Sequence, residues 1–158
     1  MRTEPGGPLE LRSLAPELKK GLVEFCRALE GANETMFFSP HSFGEAELDQ
    51  RVHYRGRDLY YVMVQGARVL GYGMLRGWDE GFAIPSLGIA IHPQVRSLGL
   101  GTLMMHFLHS AAHLAGASRV RLRVHRNNGR ALDLYRRLGY SFGQLEGSHY
   151  IGFKDLGR

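Results

Sequence analysis

The residues best suited to chemistry lie between Ile89 and Thr102. An apolar run, Ile89-Ala90-Ile91, passes through His92-Pro93-Gln94-Val95 into Arg96-Ser97-Leu98-Gly99-Leu100-Gly101-Thr102, and a helical pattern follows. The first amides of a helix have no partner within it, and the aligned peptide dipoles add positive potential there. Gly99 and Gly101 let a ligand approach the backbone closely, and Arg96 adds a planar fork suited to oxyanions. The chemistry implied is the binding of a phosphate or pyrophosphate. Two well-known nucleotide loops have related spacings, and neither is present. A dinucleotide fingerprint counted from Gly99 needs a third glycine where Met104 stands, and a P-loop needs a lysine where Thr102 stands.

The elements that must position this segment can be read from periodicity and turn residues. Leu9 to Leu14 alternates as a short strand, and Ser13 is expected to cap a helix with Pro16 in its first turn, ending near Gly31-Ala32-Asn33. Leu18, Leu22, Phe25 and Leu29 give that helix one apolar face. Ser42 and Glu45 have the capping-box spacing, so a second helix is expected to run to about Val52. Leu59–Gln65 and Arg68–Leu75 read as strands joined by a tight turn at Gly66-Ala67. A further strand is expected over Phe82–Ile91, with Pro85 marking an edge or bulge. A helix follows to about Ala115, with Leu103, Phe107, Ala111 and Leu114 on its apolar face and Gly116 as its stop. Arg119–Val124 alternates as a strand, 128–138 is helical up to Gly139, and two short strands flank Gly147-Ser148. The order β-α-α-β-β-β-α-β-α-β-β predicts an α/β (α+β) fold: a mixed, twisted, mostly antiparallel sheet flanked by helices, with a β-α-β crossover carrying the ligand loop.

Length and composition fit this. The chain has 158 residues, the size of a single domain over residues 9–158 with a flexible arm at residues 1–8. Hydrophobic residues make up 44% and charged residues 22%, which excludes a disordered body. Cys26, the single cysteine, excludes an internal disulfide and a closed cysteine zinc site. The apolar stretch Leu98–Met105 is broken by glycines and followed by His106, so no membrane span is expected. The first residues have no apolar signal core, and a cytoplasmic protein is the expectation. The net charge of +5 is carried by 17 Arg and 3 Lys, a balance that suits an anionic small ligand.

Two motifs in register resemble those of the GNAT N-acetyltransferase superfamily. The first is Arg96-x-x-Gly99-x-Gly101, which looks like that family's acyl-CoA pyrophosphate loop. The second is Asn128-x-x-Ala131-x-x-Leu134-Tyr135-x-x-Leu138-Gly139-Tyr140, similar to its later stretch ending Tyr-x-x-Gly-Phe/Tyr. The spacing between them fits one helix and one strand, and the resemblance is tightest over residues 86–142. It implies acetyl-CoA as donor substrate, bound where the strands Phe82–Ile91 and Arg119–Val124 splay apart. Ile89, Ala90 and Ile91 would meet the pantetheine arm. Arg96, Ser97, Leu98, Gly99, Leu100, Gly101 and Thr102 would hold the pyrophosphate, and Asn128, Ala131 and Tyr135 would contact the donor from the next helix. Direct transfer to an amine would follow, with no covalent enzyme intermediate. Tyr135 would protonate the departing thiolate: a phenol titrates near about 10 and a thiol near about 8.5, so the transfer is slightly uphill.

The family often places a glutamate on the strand before the loop, and this chain departs from that, since Phe82–His92 contains no acid. The proton leaving the amine could go to Glu80 or Asp79 ahead of the strand, to His41, or to solvent. Glu80 is the leading candidate. Phe37, Phe38, His41 and Trp78 are expected at the acceptor pocket, with Tyr72 nearby. A non-catalytic acyl-CoA-sensing module on the same fold is the rival reading, and a homodimer paired through the C-terminal strands is compatible with it. His106, His109 and His113 share a helix stripe, but this reads as the polar face of an amphipathic helix and no metal is expected. Arg119, Arg121 and Arg123 share a strand face without interleaved aromatics, which speaks against a nucleic-acid partner.

Overall fold

The structure, a computed structural model, describes residues 6–33, 38 and 40–157. Among these residues seven strands form one sheet, in the order β1-β2-β3-β4-β5-β7-β6. They are β1 (Leu9–Ser13), β2 (Leu59–Gln65), β3 (Arg68–Arg76), β4 (Ser86–Ile91), β5 (Arg119–His125), β6 (Ser141–Glu146) and β7 (His149–Asp155). Four helices accompany them: α1 (Lys19–Gly31), α2 (Glu45–Val52), α3 (Leu100–Leu114) and α4 (Gly129–Arg137). Every neighbouring pair is antiparallel except β4 and β5, which are joined through α3 and run parallel. The element order and the mixed, mostly antiparallel sheet are those expected.

Helices cover both faces of the sheet. On one, Leu22, Phe25 and Leu29 of α1 and Leu48 and Val52 of α2 pack on Tyr60, Val62, Tyr72 and Met74. On the other, Met104, Met105 and Leu108 of α3 and Leu132 and Tyr135 of α4 pack on Leu75, Leu87, Leu122 and Val124. Cys26 is buried, and burial first, then the charge of Glu30, pushes its thiol up to about 12, so it is an inert core residue. Of the expected N-terminal arm, residues 1–5 lie outside the described residues, and the Gly7 carbonyl accepts from Gln65 Nε2 at 3.0 Å.

Local details correct four expectations. β4 starts at Ser86, because Pro85 has no N–H to give a ladder. Its carbonyl instead accepts from the Arg121 amide at 3.0 Å. Ser13 ends β1 opposite Tyr61 and caps nothing; a single 3-10 turn, Pro16–Leu18, leads into α1. Ser42 makes no capping box: its Oγ accepts from the Gly44 amide at 3.2 Å, and Gly44 is the residue before α2. The buried face of α3 is turned from the one expected. Met104, Met105, Leu108, His109 and Ala112 face the core, while Leu103 and Leu114 are exposed.

Candidate active site

β4 and β5 are bridged at one position, Ser86 opposite Arg121. The other neighbouring strands are laddered over four or more residue pairs. Beyond the bridge the parallel pair splays towards its C-terminal ends, the usual place for a ligand in a sheet with helices on its faces. The His92 amide donates to the Leu70 carbonyl at 2.8 Å, so the even-numbered residues of β4 bond to β3. Consistently, Pro85 offers its carbonyl to β5. The main-chain groups of Ile89 and Ile91 therefore face the gap.

A cavity of about 420 Å³ opens in this gap. Ile89, Ala90, Ile91, Arg96, Ser97, Gly99, Leu100, Gly101, Thr102, Asn128, Ala131 and Tyr135 all line it, so the two sequence motifs meet in one space. Leu98 does not; its side chain is 70% exposed. Arg123, Arg130 and Arg137 join Arg96 around the wall, and among the described residues no carboxylate or histidine lines it. The charge pattern selects an anion with several negative groups. Arg123 and Arg130 belong to the basic face that the sequence shows, whereas Arg137 was missed, although it lies inside the second motif at i+9 from Asn128.

The loop into α3 is shaped for such a ligand. Ser97 has φ 65° and Gly99, the residue before α3, has φ 83°. A left-handed serine is uncommon, and it follows the extended Arg96 (φ −72°, ψ 161°), so the chain turns sharply just before the start of α3. Arg96 folds back, with Nη2 3.5 Å from the Ile91 carbonyl.

The end of α4 explains the spacing of the second motif. The Asn128 side chain caps the helix start, accepting from the Ala131 amide at 3.3 Å. At the far end Gly139 has φ 96°, its amide donates to Arg136, and the Tyr140 amide donates to Tyr135 at 3.0 Å. This Schellman closure fixes Tyr140 beside Tyr135, ring centroids 5.7 Å apart. Burial pushes the Tyr135 phenol up to about 12, so it stays protonated. Tyr140 Oη in turn shares a hydrogen bond of 2.8 Å with His109 Nε2. Burial, followed by Lys154 and His106, lowers His109 to about 4. His109 is thus a neutral core residue and not part of a polar stripe. No group of metal-binding side chains occurs among the described residues.

The remaining candidates divide. His41 Nδ1–H donates to the Ser42 carbonyl at 2.8 Å, which leaves Nε2 to accept from Tyr72 Oη at 2.9 Å. Both ring nitrogens are occupied, and burial is the main cause lowering its pKa. Phe38 lines the first cavity and forms a ring cluster with Phe43 and Tyr72. Phe37 lies outside the described residues. Trp78 is 7% exposed and lies in the core, lining neither cavity. Asp79 is taken up by its turn, where its Oδ1 accepts from the Arg57 amide at 2.9 Å. Asp58 shapes the same turn through the Gly77 and Trp78 amides, a role with no sequence signal. Glu80 lines a second cavity of about 610 Å³, together with Arg76, Phe82, Ser86, Arg121 and Phe153.

Known proteins share this architecture. The chain is similar to the PaiA N-acetyltransferase from Thermoplasma acidophilum, solved in complex with coenzyme A (17% identity, TM-score 0.77, covering 94% of this chain and 99% of that one). It also resembles the GNAT domain of S. lividans PAT (12% identity, TM-score 0.81, 94% and 91% covered). A third likeness is to the ribosomal-protein-S18-alanine N-acetyltransferase from Escherichia coli (15%, TM-score 0.71, 96% of each). No curated protein matches the chain by sequence. The acetyltransferase (GNAT) family matches residues 18–140, a span that holds both motifs, the splayed strands and the two helices that close the cavity. The chain therefore belongs to the acetyltransferase (GNAT) family.

Proposed function

We propose that the chain takes an acetyl group from acetyl-CoA and passes it directly to a primary amine of a small molecule or peptide. The observation that carries this reading is the gap between β4 and β5. There the cleft-facing main chain of Ile89 and Ile91 meets a left-handed loop, a helix start and four arginines in one cavity. The loop amides and Arg96 take the pyrophosphate, and Arg123, Arg130 and Arg137 supply the remaining positive potential. The amine nitrogen attacks the thioester carbonyl, the carbon–sulfur bond breaks, and Tyr135 gives its proton to the sulfur. Burial holds Tyr135 near 12, and it raises a thiol in the same cavity in the same direction, which offsets the cost of the transfer.

The amine must shed a proton. Among the described residues Glu80 is the one carboxylate lining either cavity, and it receives that proton through water. Phe38 forms a wall of the donor cavity. His41 steadies it through Tyr72 and Phe43.

The test is release of CoA thiol from acetyl-CoA against amino sugars, polyamines, amino acids and short peptides from pH 6 to 9.5. Turnover with one class is expected. Tyr135→Phe should lower kcat about 10²- to 10⁴-fold and leave acetyl-CoA affinity intact. Glu80→Gln should shift or remove the acidic limb of the pH profile. The lack of any acid over Phe82–His92 favours a second reading, an acyl-CoA sensor. Acetyl-CoA binding without turnover on any amine would select it.

A further inference from the structure

Arg121 Nε is buried and has no hydrogen-bond partner among the described residues. A buried guanidinium N–H without an acceptor is costly, and such exceptions in a folded protein need an explanation. The strand registers supply its surroundings. Arg76 stands opposite Ser86, Ser86 opposite Arg121, and Arg121 opposite Phe153, so the four side chains form one row across β3, β4, β5 and β7 on one face of the sheet. The next row, Leu75, Leu87 and Leu122, points the other way into the core. All four residues of the first row line the second cavity.

Two guanidinium groups thus flank the hydroxyl of Ser86 across neighbouring strands, spanning roughly 10 Å at strand spacing. Arg76 Nη1 donates to the Pro40 carbonyl, a neutral group. Among the described residues no carboxylate forms an ion pair with Arg76 or Arg121. Glu80 lines the same cavity and is paired with neither. Phe153 and the 59%-exposed Phe82 add apolar wall. The cavity therefore keeps positive and negative groups apart on an apolar floor, which complements a molecule holding an ammonium and an anion at once.

We propose that this cavity takes the acceptor, and that the acceptor is an amine bearing a carboxylate or phosphate on an apolar body, its anion held by Arg121 with Arg76 alongside. This rests on the acetyltransferase reading above. Arg121 is two residues along β5 from Arg123, and Ser86 three along β4 from Ile89, distances of roughly 7 and 10 Å. An anion held at Arg121 leaves the amine of a small molecule within reach of the donor cavity.

The experiment compares matched acceptors that differ in charge: L-phenylalanine with its amide, L-leucine with its amide, and O-phosphoethanolamine with ethanolamine, with spermidine as a cationic control. Thiol release gives kcat/KM. Calorimetry on the CoA-loaded protein gives the affinities of N-acetylphenylalanine and its amide. The charged member of a pair should be preferred at least tenfold, chiefly through KM, and Arg121→Gln should collapse that ratio towards one. Preference within the amino-acid pairs identifies a carboxylate, and within the ethanolamine pair a phosphate. Should Arg121→Gln fail to fold, Ser86→Asp at its exposed position puts a carboxylate between the guanidiniums and should collapse the ratio equally. Equal or better use of neutral or cationic amines, or a ratio unchanged in the variants, overturns the proposal. Charge-dependent binding without turnover keeps it and overturns the catalytic reading instead, and neither binding nor turnover overturns it.

Discussion

Gly99 and Gly101 stand two residues apart and are glycine for different reasons. Gly99 has φ 83°, where an L side chain is strained, so Gly99→Ala should cost about 1 kcal/mol of stability. Gly101 has no such constraint. A Cβ there would lie 3.7 Å from Leu134 Cδ2 and 3.9 Å from Ile91 Cγ1, ordinary contacts with two walls of the donor cavity. Gly101→Ala should therefore leave the melting temperature level or slightly higher and weaken acetyl-CoA binding tenfold or more. Calorimetry and thermal melts on both variants separate the two roles. The sequence motif makes both glycines visible, but only the backbone angles tell which one serves the fold and which the ligand. Arg121 shows the opposite limit. Alternation places it on a basic strand face, yet the burial of its Nε, without a partner among the described residues, depends on which strands lie beside β5, and that pairing is not local information.

At the level of elements, α4 is the piece most completely legible from sequence. Its pattern shows a helix over 128–138 with Gly139 as the stop, while the structure adds Asn128 as the cap, and the closure at Gly139 ties Tyr140 to Tyr135. Gly139→Ala should cost about 1–2 kcal/mol, because φ is 96° and the added Cβ would stand 3.0 Å from Lys154 Nζ. Since the same closure seats Tyr135, kcat should fall with little change in acetyl-CoA affinity. A kcat unchanged in the folded variant would show that Tyr135 is held by packing alone. Two elements were less legible. Pro85 reads as an edge or bulge inside a strand from Phe82, whereas the strand begins only after it, at Ser86. The α3 face reads as Leu103, Phe107, Ala111 and Leu114. Tertiary packing prefers the two methionines, and His109 is drawn in because Tyr140 offers it a partner.

For the molecule as a whole, pH reports on the core. His109 titrates near 4 when folded and near about 6.5 in an unfolded chain. Because the folded value is depressed, its contribution is complete above about pH 6.5 and is lost as the pH falls towards 4, where the unfolded chain binds the proton first. The loss should be on the order of 2 kcal/mol, roughly 4–8 °C in melting temperature for a chain of this size. His41 and His92 are also lowered and add to the slope. His109→Asn should flatten the melting profile over that window without abolishing it. No described helix is long and apolar enough to cross a membrane. The single bridge between β4 and β5 has one more consequence. Two ladders abut there with their inner rungs missing, so the halves are joined by the shared core under α3 and α4 far more than by hydrogen bonds across the seam. A molecule that lies in the seam and bonds to Ile89 and Ile91 acts as a borrowed strand. Its binding free energy becomes folding free energy, so the robustness of the fold follows the concentration of the metabolite that completes it.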